Sequence, residues 1–291
     1  MKMNKWILTA AVVAVQMSAF GQEEKKEELD AIATDRPDIT ESAQITPLGW
    51  FQYEGGYQFS NSNESYGAME VKDRHQYEQV LRFGISERFE IRAVINSNTE
   101  RTTSPSIVGE DRRTGTEPIT VGFKYNLIEE NGVLPQTTWL SHLSLPWLVY
   151  GGYVAPTQSN LVFHEQRLML EKGITDRFGL ATNIGLSGGL AGSNGFINEG
   201  MFSLAAGYDL GADFGIYLEY FSEFTWGGNV LYATPYVDGG FTKLLSNDLQ
   251  LDIYAGYDLS TTLGARLPST GFFFGTGISY RLPLAQKLMA L

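Results

Sequence analysis

The sequence predicts an all-β protein: a transmembrane, antiparallel, up-and-down β-barrel of about twelve strands with short periplasmic turns and long extracellular loops. From Leu48 onward, apolar and polar residues alternate with period two in segment after segment, which puts them on opposite faces of strands. The connections between these segments alternate between short and long. The apolar face carries almost no charge, whereas Glu, Asp, Arg and Lys gather on the other face.

The first 21 residues have the layout of a secretory signal peptide. Lys2 and Lys5 precede an apolar run, Trp6–Phe20, and small residues follow at Ala19 and Gly21. This run is shorter than the ~20 apolar residues that a membrane-spanning helix needs. We therefore predict removal of residues 1–21, with cleavage before Gln22.

A polar, acidic segment follows the signal peptide, over residues 22–47. Its first part, Gln22–Gln44, has a composition that cannot build a core of its own, so it is predicted to be a flexible periplasmic lead-in. Insertion of the segment into the barrel as a plug is the alternative. Repulsion between its acidic residues and carboxylates inside the barrel argues against that alternative.

The barrel itself is predicted over residues 48–284, followed by a short tail at 285–291. In the first segment Phe51, Tyr53, Tyr57 and Phe59 share one face, and polar side chains share the other. The twelve predicted strands begin near Leu48, His75, Phe89, Glu117, Gln136, Leu161, Phe178, Gly200, Asp213, Tyr232, Asp248 and Gly271.

The lengths of the connections distinguish a membrane barrel from a soluble sandwich. Bacterial outer-membrane barrels have short turns at one end, longer loops at the other and an even strand number. The predicted short turns are Ser86–Arg88, Glu129–Leu134, Thr175–Arg177, Gly211–Asp213 and Ser246–Asp248. The predicted long loops are Asn61–Arg74, Ser97–Thr116, Trp147–Asn160, Ser187–Glu199, Phe224–Leu231 and Ser260–Thr270.

Aromatic residues next to the short turns predict a girdle at the periplasmic interface, where an aromatic ring sits between hydrocarbon and water. They lie on the apolar face and are Phe83, Phe89, Tyr125, Phe178, Tyr208 and Phe214.

Composition narrows the function further. The net charge is −12 and there is no cysteine, which argues against nucleic-acid binding and excludes disulfides and thiolate metal sites. No metal-binding motif is present, and no cofactor is predicted. The expected partners are outer-membrane lipid, the outer-membrane assembly machinery and small solutes.

Charged residues on the polar face are the candidate lumen-lining residues. The alternation assigns to this set Glu54, Glu78, Arg82, Glu90, Arg92, Lys124, Glu219, Asp238 and Asp252, together with Glu223 and Asp258. Arg82 and Arg92 are predicted to face each other across a short turn. Two interpretations stay open: a charged constriction that selects solutes, or an internal ion-pair network that fills a narrow lumen.

The sequence does not indicate an enzyme. His142 and Ser144 lie two residues apart on one strand face, roughly 6–7 Å from each other by the rise of a strand. A nucleophile and its base need hydrogen-bond contact, so we expect these two residues to be a lumen or core pair.

Several segments resemble one family of outer-membrane transporters, named for the meta-cleavage pathway of phenol degradation. The opening Thr34–Asp38 (TDRPD) and Thr40–Ser42 resemble its first motif, and the hairpin Leu81–Arg92 and the strands ITVGFKYNL, LQLDIYAGYDL and FFFGTGISYRL look like its recurring segments. The resemblance implies an outer-membrane barrel that passes small, hydrophobic or aromatic compounds. It implies no binding residue. Tyr280 takes the place of the family's terminal aromatic residue.

Two functions therefore compete. The first is a channel or transporter-like barrel for small solutes. The second is a filled structural or adhesive barrel that acts through its extracellular loops, whose aromatic residues are Tyr66, Trp147, Tyr150, Tyr153 and Trp226. A hydrolase would need a catalytic triad that the sequence does not provide.

Overall fold

The strands of the protein close into a barrel. The computed structural model describes residues 29–65, 69–104, 109–145, 162–190, 196–227, 230–259 and 269–284. In these residues the strands are β1 Trp50–Ser65, β2 Met69–Ser86, β3 Phe89–Thr103, β4 Asp111–Thr116, β5 Ile119–Ile128, β6 Gln136–Leu145, β7 Phe163–Gly173, β8 Phe178–Leu190, β9 Phe196–Gly211, β10 Phe214–Gly227, β11 Val230–Ser246, β12 Leu249–Asp258 and β13 Ser269–Pro283. Neighbouring strands pair antiparallel, and β1 pairs with both β2 and β13, which closes the sheet.

The fourth of the predicted twelve strands is β5, and it is preceded by an additional strand, β4, which lies in the predicted loop Ser97–Thr116. Both strands pair with β3, where Ser97 faces Thr116 and Val94 faces Thr120. Three steps along β3 thus match four steps from β4 to β5, which is the geometry of a β-bulge. Pro118 lies in the break and has no N–H to donate to the ladder. In the described parts of the chain, thirteen strands thus occupy twelve positions of the wall.

The predicted alternation is present in the wall, and β12 shows it best. Gln250, Asp252 and Tyr254 are buried toward the interior, whereas Leu251 and Ile253 are exposed on the outer face. In water this would be an inverted protein, with charges inside and large apolar side chains outside. In a bilayer it is the arrangement in which each face meets its own solvent.

The five predicted short turns are confirmed, since each lies between consecutive strands. The predicted long loops are partly wrong. β1 continues to Ser65 and β2 begins at Met69, within the predicted loop Asn61–Arg74. β3 continues to Thr103, within the predicted loop Ser97–Thr116. The outer ends of these strands carry polar residues on both faces, for example Asn61, Ser62 and Asp73. Alternation disappears where both faces of a strand meet water, so these strand ends resemble loops in the sequence. The predicted loop Trp147–Asn160 lies outside the described residues.

The outer surface carries the expected apolar band and girdle. Ile184, Leu204, Leu218, Phe241 and Ile253 are among its exposed side chains. Near the short turns Phe89 stacks on Phe123 with ring centroids 5.4 Å apart, and Trp139 meets Phe123 edge-on at 5.1 Å. In the described ranges, no helix has the length and apolar character to span a membrane.

Candidate functional site in the barrel lumen

A segment that precedes the first strand runs through the inside of the barrel. We call Ala31–Pro47 the plug segment. It begins beside the β11–β12 turn, where the Ile32 N–H donates to the Asn247 carbonyl at 2.7 Å. It ends against β2, where Pro47 lies over Gly84. Its contacts between these points come from inward side chains of β1, β2, β3, β5, β6, β7, β9, β10 and β12.

Asp35 is the centre of the ion pairs that hold the plug segment. Its carboxylate lies 2.5 Å from Lys124 Nζ, 2.9 Å from Arg92 Nη1 and 3.2 Å from Arg82 Nη1. All four side chains are almost inaccessible to solvent. Because charges interact strongly at low dielectric, Asp35 compensates, together with Glu54 and Glu90, the positive charge that β2, β3 and β5 place inside the barrel.

Glu41 makes the second ionic contact. It accepts hydrogen bonds from Arg92 at 2.6 Å and from Arg167 at 3.2 Å. Burial raises the pKa of Glu41, but Arg92, Arg167 and Lys124 lower it more, so this pKa lies below its usual value. Glu41 is therefore a carboxylate at neutral pH and binds the plug segment to β3 and β7.

Other carboxylates of the wall accept hydrogen bonds from backbone N–H groups of the plug segment. Glu54 accepts from Asp35 at 2.9 Å, Glu90 from Thr46 at 2.6 Å, Glu171 from Ala43 at 3.0 Å and Glu219 from Thr40 at 2.7 Å. Thr138 donates to the Ala43 carbonyl at 2.5 Å. An irregular buried segment needs such partners because unpaired backbone groups are costly to bury.

The prediction of a flexible lead-in over Gln22–Gln44 is thus wrong from Ala31 onward. The argument from charge repulsion failed because the wall carboxylates mostly face backbone N–H groups, whereas Asp35 and Glu41 face Arg and Lys. The argument from composition failed because the barrel supplies a polar interior that the segment does not have to build. Residues 1–28 lie outside the described residues, and cleavage before Gln22 stays a prediction.

Arg36 occupies a cradle on the adjoining part of the wall, formed by β1, β2, β12 and β13. Its Nη2 lies 3.2 Å from Asp252 Oδ1 and its Nε lies 3.4 Å from Oδ2, while Glu78 is 3.7 Å from Nη1. A methyl group on Gly56 or Gly277 would overlap the guanidinium. These two glycines, on β1 and β13, let the guanidinium lie flat against the wall.

The predicted lumen-lining residues divide into two sets. Arg82, Arg92, Lys124, Glu54 and Glu90 form the network around Asp35, and the predicted register of Arg82 opposite Arg92 is confirmed. The other predicted residues lie elsewhere on the inner wall: Glu78 and Asp252 beside Arg36, Glu219 and Asp238 as a cross-strand pair, and Glu223 and Asp258 toward the extracellular end. The network is built jointly with the plug segment, which the sequence did not indicate.

One contact of the plug segment brings acidic groups together. Asp38 lies near the cross-strand pair Glu219 and Asp238, and Thr40 donates its hydroxyl to Glu219. Burial, with the charges of Glu219 and Asp238, raises the pKa of Asp38 well above its usual value. This side of the plug segment is therefore held least firmly when Asp38 is ionised.

Small residues on β8, β9 and β10 leave a cavity of about 680 Å³ beside the plug segment, at the periplasmic end of the lumen. Gly179, Ala181, Ala205, Gly207 and Gly215 are among its lining residues. A methyl group on Gly207 would meet no atom within 4 Å. The plug segment thus packs against the charged strands and leaves this cavity between itself and β8–β10.

Four aromatic side chains point into the lumen on β10–β13, and the sequence reasoning did not identify them as site residues. Phe221 stacks on Tyr236 with centroids 4.6 Å apart and planes 12° from parallel. Phe273 lies 6.4 Å from Tyr236 and 6.3 Å from Tyr254. We call these four rings the aromatic platform. Its signal in the sequence is an aromatic residue on the polar face, such as Tyr254 between Asp252 and Gly256.

The arrangement of His142 does not favour hydrolysis. Its Nδ1 lies 2.9 Å from Glu165, and Ser144 shares a hydrogen bond of 2.8 Å with Thr120 instead. Glu165 also forms an ion pair with Arg167 at 2.5 Å, and Arg167 in turn pairs with Glu41 at 3.2 Å. Among the described residues, no group of three or more His, Asp or Glu side chains is placed to hold a metal ion.

Comparison with known proteins agrees with this fold. Residues 34–282 match the family described as "MetA-pathway of phenol degradation", and no curated protein matches the chain. The crystal structure of an outer membrane channel from Pseudomonas putida is similar, with a TM-score of 0.60 at 13% identity over 82% of this chain and 98% of that one. The translocator domain of the autotransporter NalP from Neisseria meningitidis has a TM-score of 0.53 at 9% identity over 96% of this chain and 98% of that one.

The matched residues start at Thr34, so the family's match includes most of the plug segment as well as the barrel. The resemblance that rests on Thr34–Asp38, the hairpin and the later strands is confirmed. The chain belongs to the MetA-pathway of phenol degradation family, and its fold is that of an outer-membrane β-barrel.

Proposed function

We propose that this protein is an outer-membrane channel for small solutes with an aromatic ring, and that the plug segment closes its lumen in the state described above. The observation that carries the proposal is the way in which Ala31–Pro47 is held, through ion pairs and hydrogen bonds between Asp35, Arg36 and Glu41 and the inner wall. The aromatic platform and the family's description support an aromatic solute.

Attachment through ion pairs suits a plug segment that has to leave the lumen when the channel opens. Buried ion pairs contribute little net stability because desolvation of the charges offsets their attraction. When the plug segment leaves the lumen, water enters and hydrates Arg82, Arg92 and Lys124 as well as the departing carboxylates. The free-energy difference between the two states is then far smaller than the sum of the contacts, so voltage or a bound solute is sufficient to shift the equilibrium.

A planar-bilayer experiment tests this function. The mature chain is expected to be closed most of the time, with brief openings, whereas a variant that starts at Ile45 is expected to give long, discrete current steps that favour potassium. Silence of the variant, in protein shown to be folded by its heat-shifted gel mobility, would overturn the proposal.

A filled lumen also favours the second candidate, a structural or adhesive barrel that acts through its extracellular loops. Of the loop aromatics, Tyr66, Trp147, Tyr150 and Tyr153 lie outside the described residues, and Trp226 is in β10. This candidate predicts that removal of residues 22–44 gives no conductance and leaves surface adhesion unchanged. We infer in either case that the protein acts without catalysis, with lipid on its outer face and the assembly machinery acting on its terminal strand.

A further inference from the structure

Two rings of the aromatic platform, Phe273 and Tyr254, lie against the inner wall at glycines. Phe273 faces Gly256 across the β12–β13 ladder, and Tyr254 faces Gly275. A methyl group on Gly256 would overlap the ring of Phe273, and one on Gly275 would lie 2.6 Å from the Tyr254 hydroxyl. These two rings therefore lie across the neighbouring strand at a glycine, which limits the room that they take from the lumen.

At its periplasmic end the platform meets a site that is occupied by the guanidinium group of Arg36. The Arg36 guanidinium lies 5.7 Å from the centroid of the Tyr254 ring. It also makes a two-point contact with Asp252, which is 4% exposed. A carboxylate, an aromatic ring and a glycine cradle together form a binding site for a planar cation.

At its extracellular end the platform is bordered by carboxylates. Glu223 follows Phe221 on the same inward face of β10, and Asp258 is the cross-strand partner of Tyr236. A lumen lined by one sign of charge concentrates solutes of the other sign. A solute that enters from outside thus meets carboxylates first, then the aromatic platform, and finally the cradle of Arg36.

We propose that the β10–β13 wall is a binding site for organic cations that carry an aromatic ring, such as arylalkylamines and arylalkylguanidines. The ring binds the aromatic platform, and the cationic group takes the place of the Arg36 guanidinium beside Asp252 and Tyr254. This inference rests on the proposed channel function and narrows its solute class. Arg36 is then an internal competitor of the solute, and solute binding removes one of the contacts that hold the plug segment.

Titration calorimetry on the folded, mature chain in non-ionic micelles tests the site without a channel measurement. The probes are 2-phenylethylamine, its neutral analogue 2-phenylethanol and the anion phenylacetate. The amine is expected to bind at least about tenfold more tightly than either analogue, because only the cation gains the Asp252 and Tyr254 contacts. Equal affinity for amine and alcohol would overturn the inference.

Two substitutions examine the competition with Arg36. Arg36→Ala is expected to tighten amine binding by about tenfold, because the cradle is vacated. Asp252→Asn is expected to weaken amine binding by a similar factor and to leave 2-phenylethanol unaffected. Asp213→Asn, on the exposed β9–β10 turn, is the matched control and should change neither probe. An unchanged amine affinity in both Arg36→Ala and the variant that starts at Ile45 would also overturn the inference.

Failure of the cation site and failure of the proposed channel function give different results. A chain that conducts when the plug segment is removed but does not prefer the amine contradicts only the cation site. A chain that binds the amine through Asp252 but never conducts contradicts only the channel.

Discussion

At the scale of single residues, Asp35 makes three ionic contacts between the plug segment and the barrel wall. It is the shared partner of Lys124, Arg92 and Arg82, which lie close together on neighbouring strands. Glu41, Glu54 and Glu90 also pair with these cations, but without the charge of Asp35 the cations lose the partner that all three share. Under the proposed function, the Thr34–Asp38 motif is therefore a latch for the plug segment, a role that its sequence alone does not indicate.

Asp35→Asn is expected to release the plug segment. Removal of one partner from a buried ion pair destabilises by about 3–5 kcal/mol, so the variant should open in planar bilayers far more often than the unaltered chain. A closed lumen in Asp35→Asn, with normal heat-shifted mobility, would show that Asp35 is not the latch.

Asp38 is the matched control for Asp35, because it lies three residues away but faces Glu219 and Asp238 instead of cations. Its pKa in the folded protein is raised, so the protonated form is favoured there and ionisation weakens the docked state. The docked state is therefore most stable below the ordinary pKa of an aspartate, and this stability is lost as the pH rises from there to the raised pKa. Open probability should thus increase from acidic to neutral pH, and this increase should shrink in Asp38→Asn. The same pH response in both proteins would contradict this assignment.

At the scale of elements, the strands were predictable because their signals are local. The alternation in β12 and the turn at Ser86–Arg88 can be read within a dozen residues. The docking of the plug segment was not predictable in this way, since Arg36 and Asp252 are 216 residues apart. The alternation assigned Asp252 to the lumen, but no local pattern shows which group faces it.

The break between β4 and β5 is stabilised by Glu117. Its carboxylate accepts hydrogen bonds from Arg74 at 2.5 Å, Asn96 at 2.9 Å and Asn98 at 3.0 Å. Twelve strands were predicted because β4, Asp111–Thr116, has no apolar face and resembles a loop. A strand end that extends beyond the membrane depends on such polar contacts instead of lipid.

Glu117→Ala should therefore loosen β4 and leave the rest of the barrel folded. The lost hydrogen bonds to a charged group are worth roughly 1–3 kcal/mol, so amide exchange in Asp111–Thr116 should accelerate by one to two orders of magnitude. Glu110→Gln, which removes an exposed ion pair to Arg101, should have little effect. Acceleration along all of β3 instead would contradict a local role.

At the scale of the whole molecule, the barrel has charges inside and apolar side chains outside, and the bilayer is the solvent that makes this stable. Ile253 is 60% exposed at the middle of β12, and Phe214 is 45% exposed beside a short turn. Ile253→Arg should destabilise by about 2–4 kcal/mol and Phe214→Arg by about 0–1 kcal/mol, because the cost of a charge falls toward the interface. Urea unfolding in liposomes measures both values. Equal costs would mean that the apolar band is misplaced.

The central claim about the whole molecule is that a channel is closed by its own plug segment. The most direct test is a reversible covalent lock, and the chain has no native cysteine to interfere. The Thr40 and Ser203 hydroxyl oxygens are 2.7 Å apart, so Thr40→Cys with Ser203→Cys should form a disulfide between the plug segment and β9. Single-channel recordings are made before and after reduction, with each single-cysteine variant as a control. We predict no openings at any voltage when the variant is oxidised and restored openings after reduction; equal conductance in the two states would contradict the account.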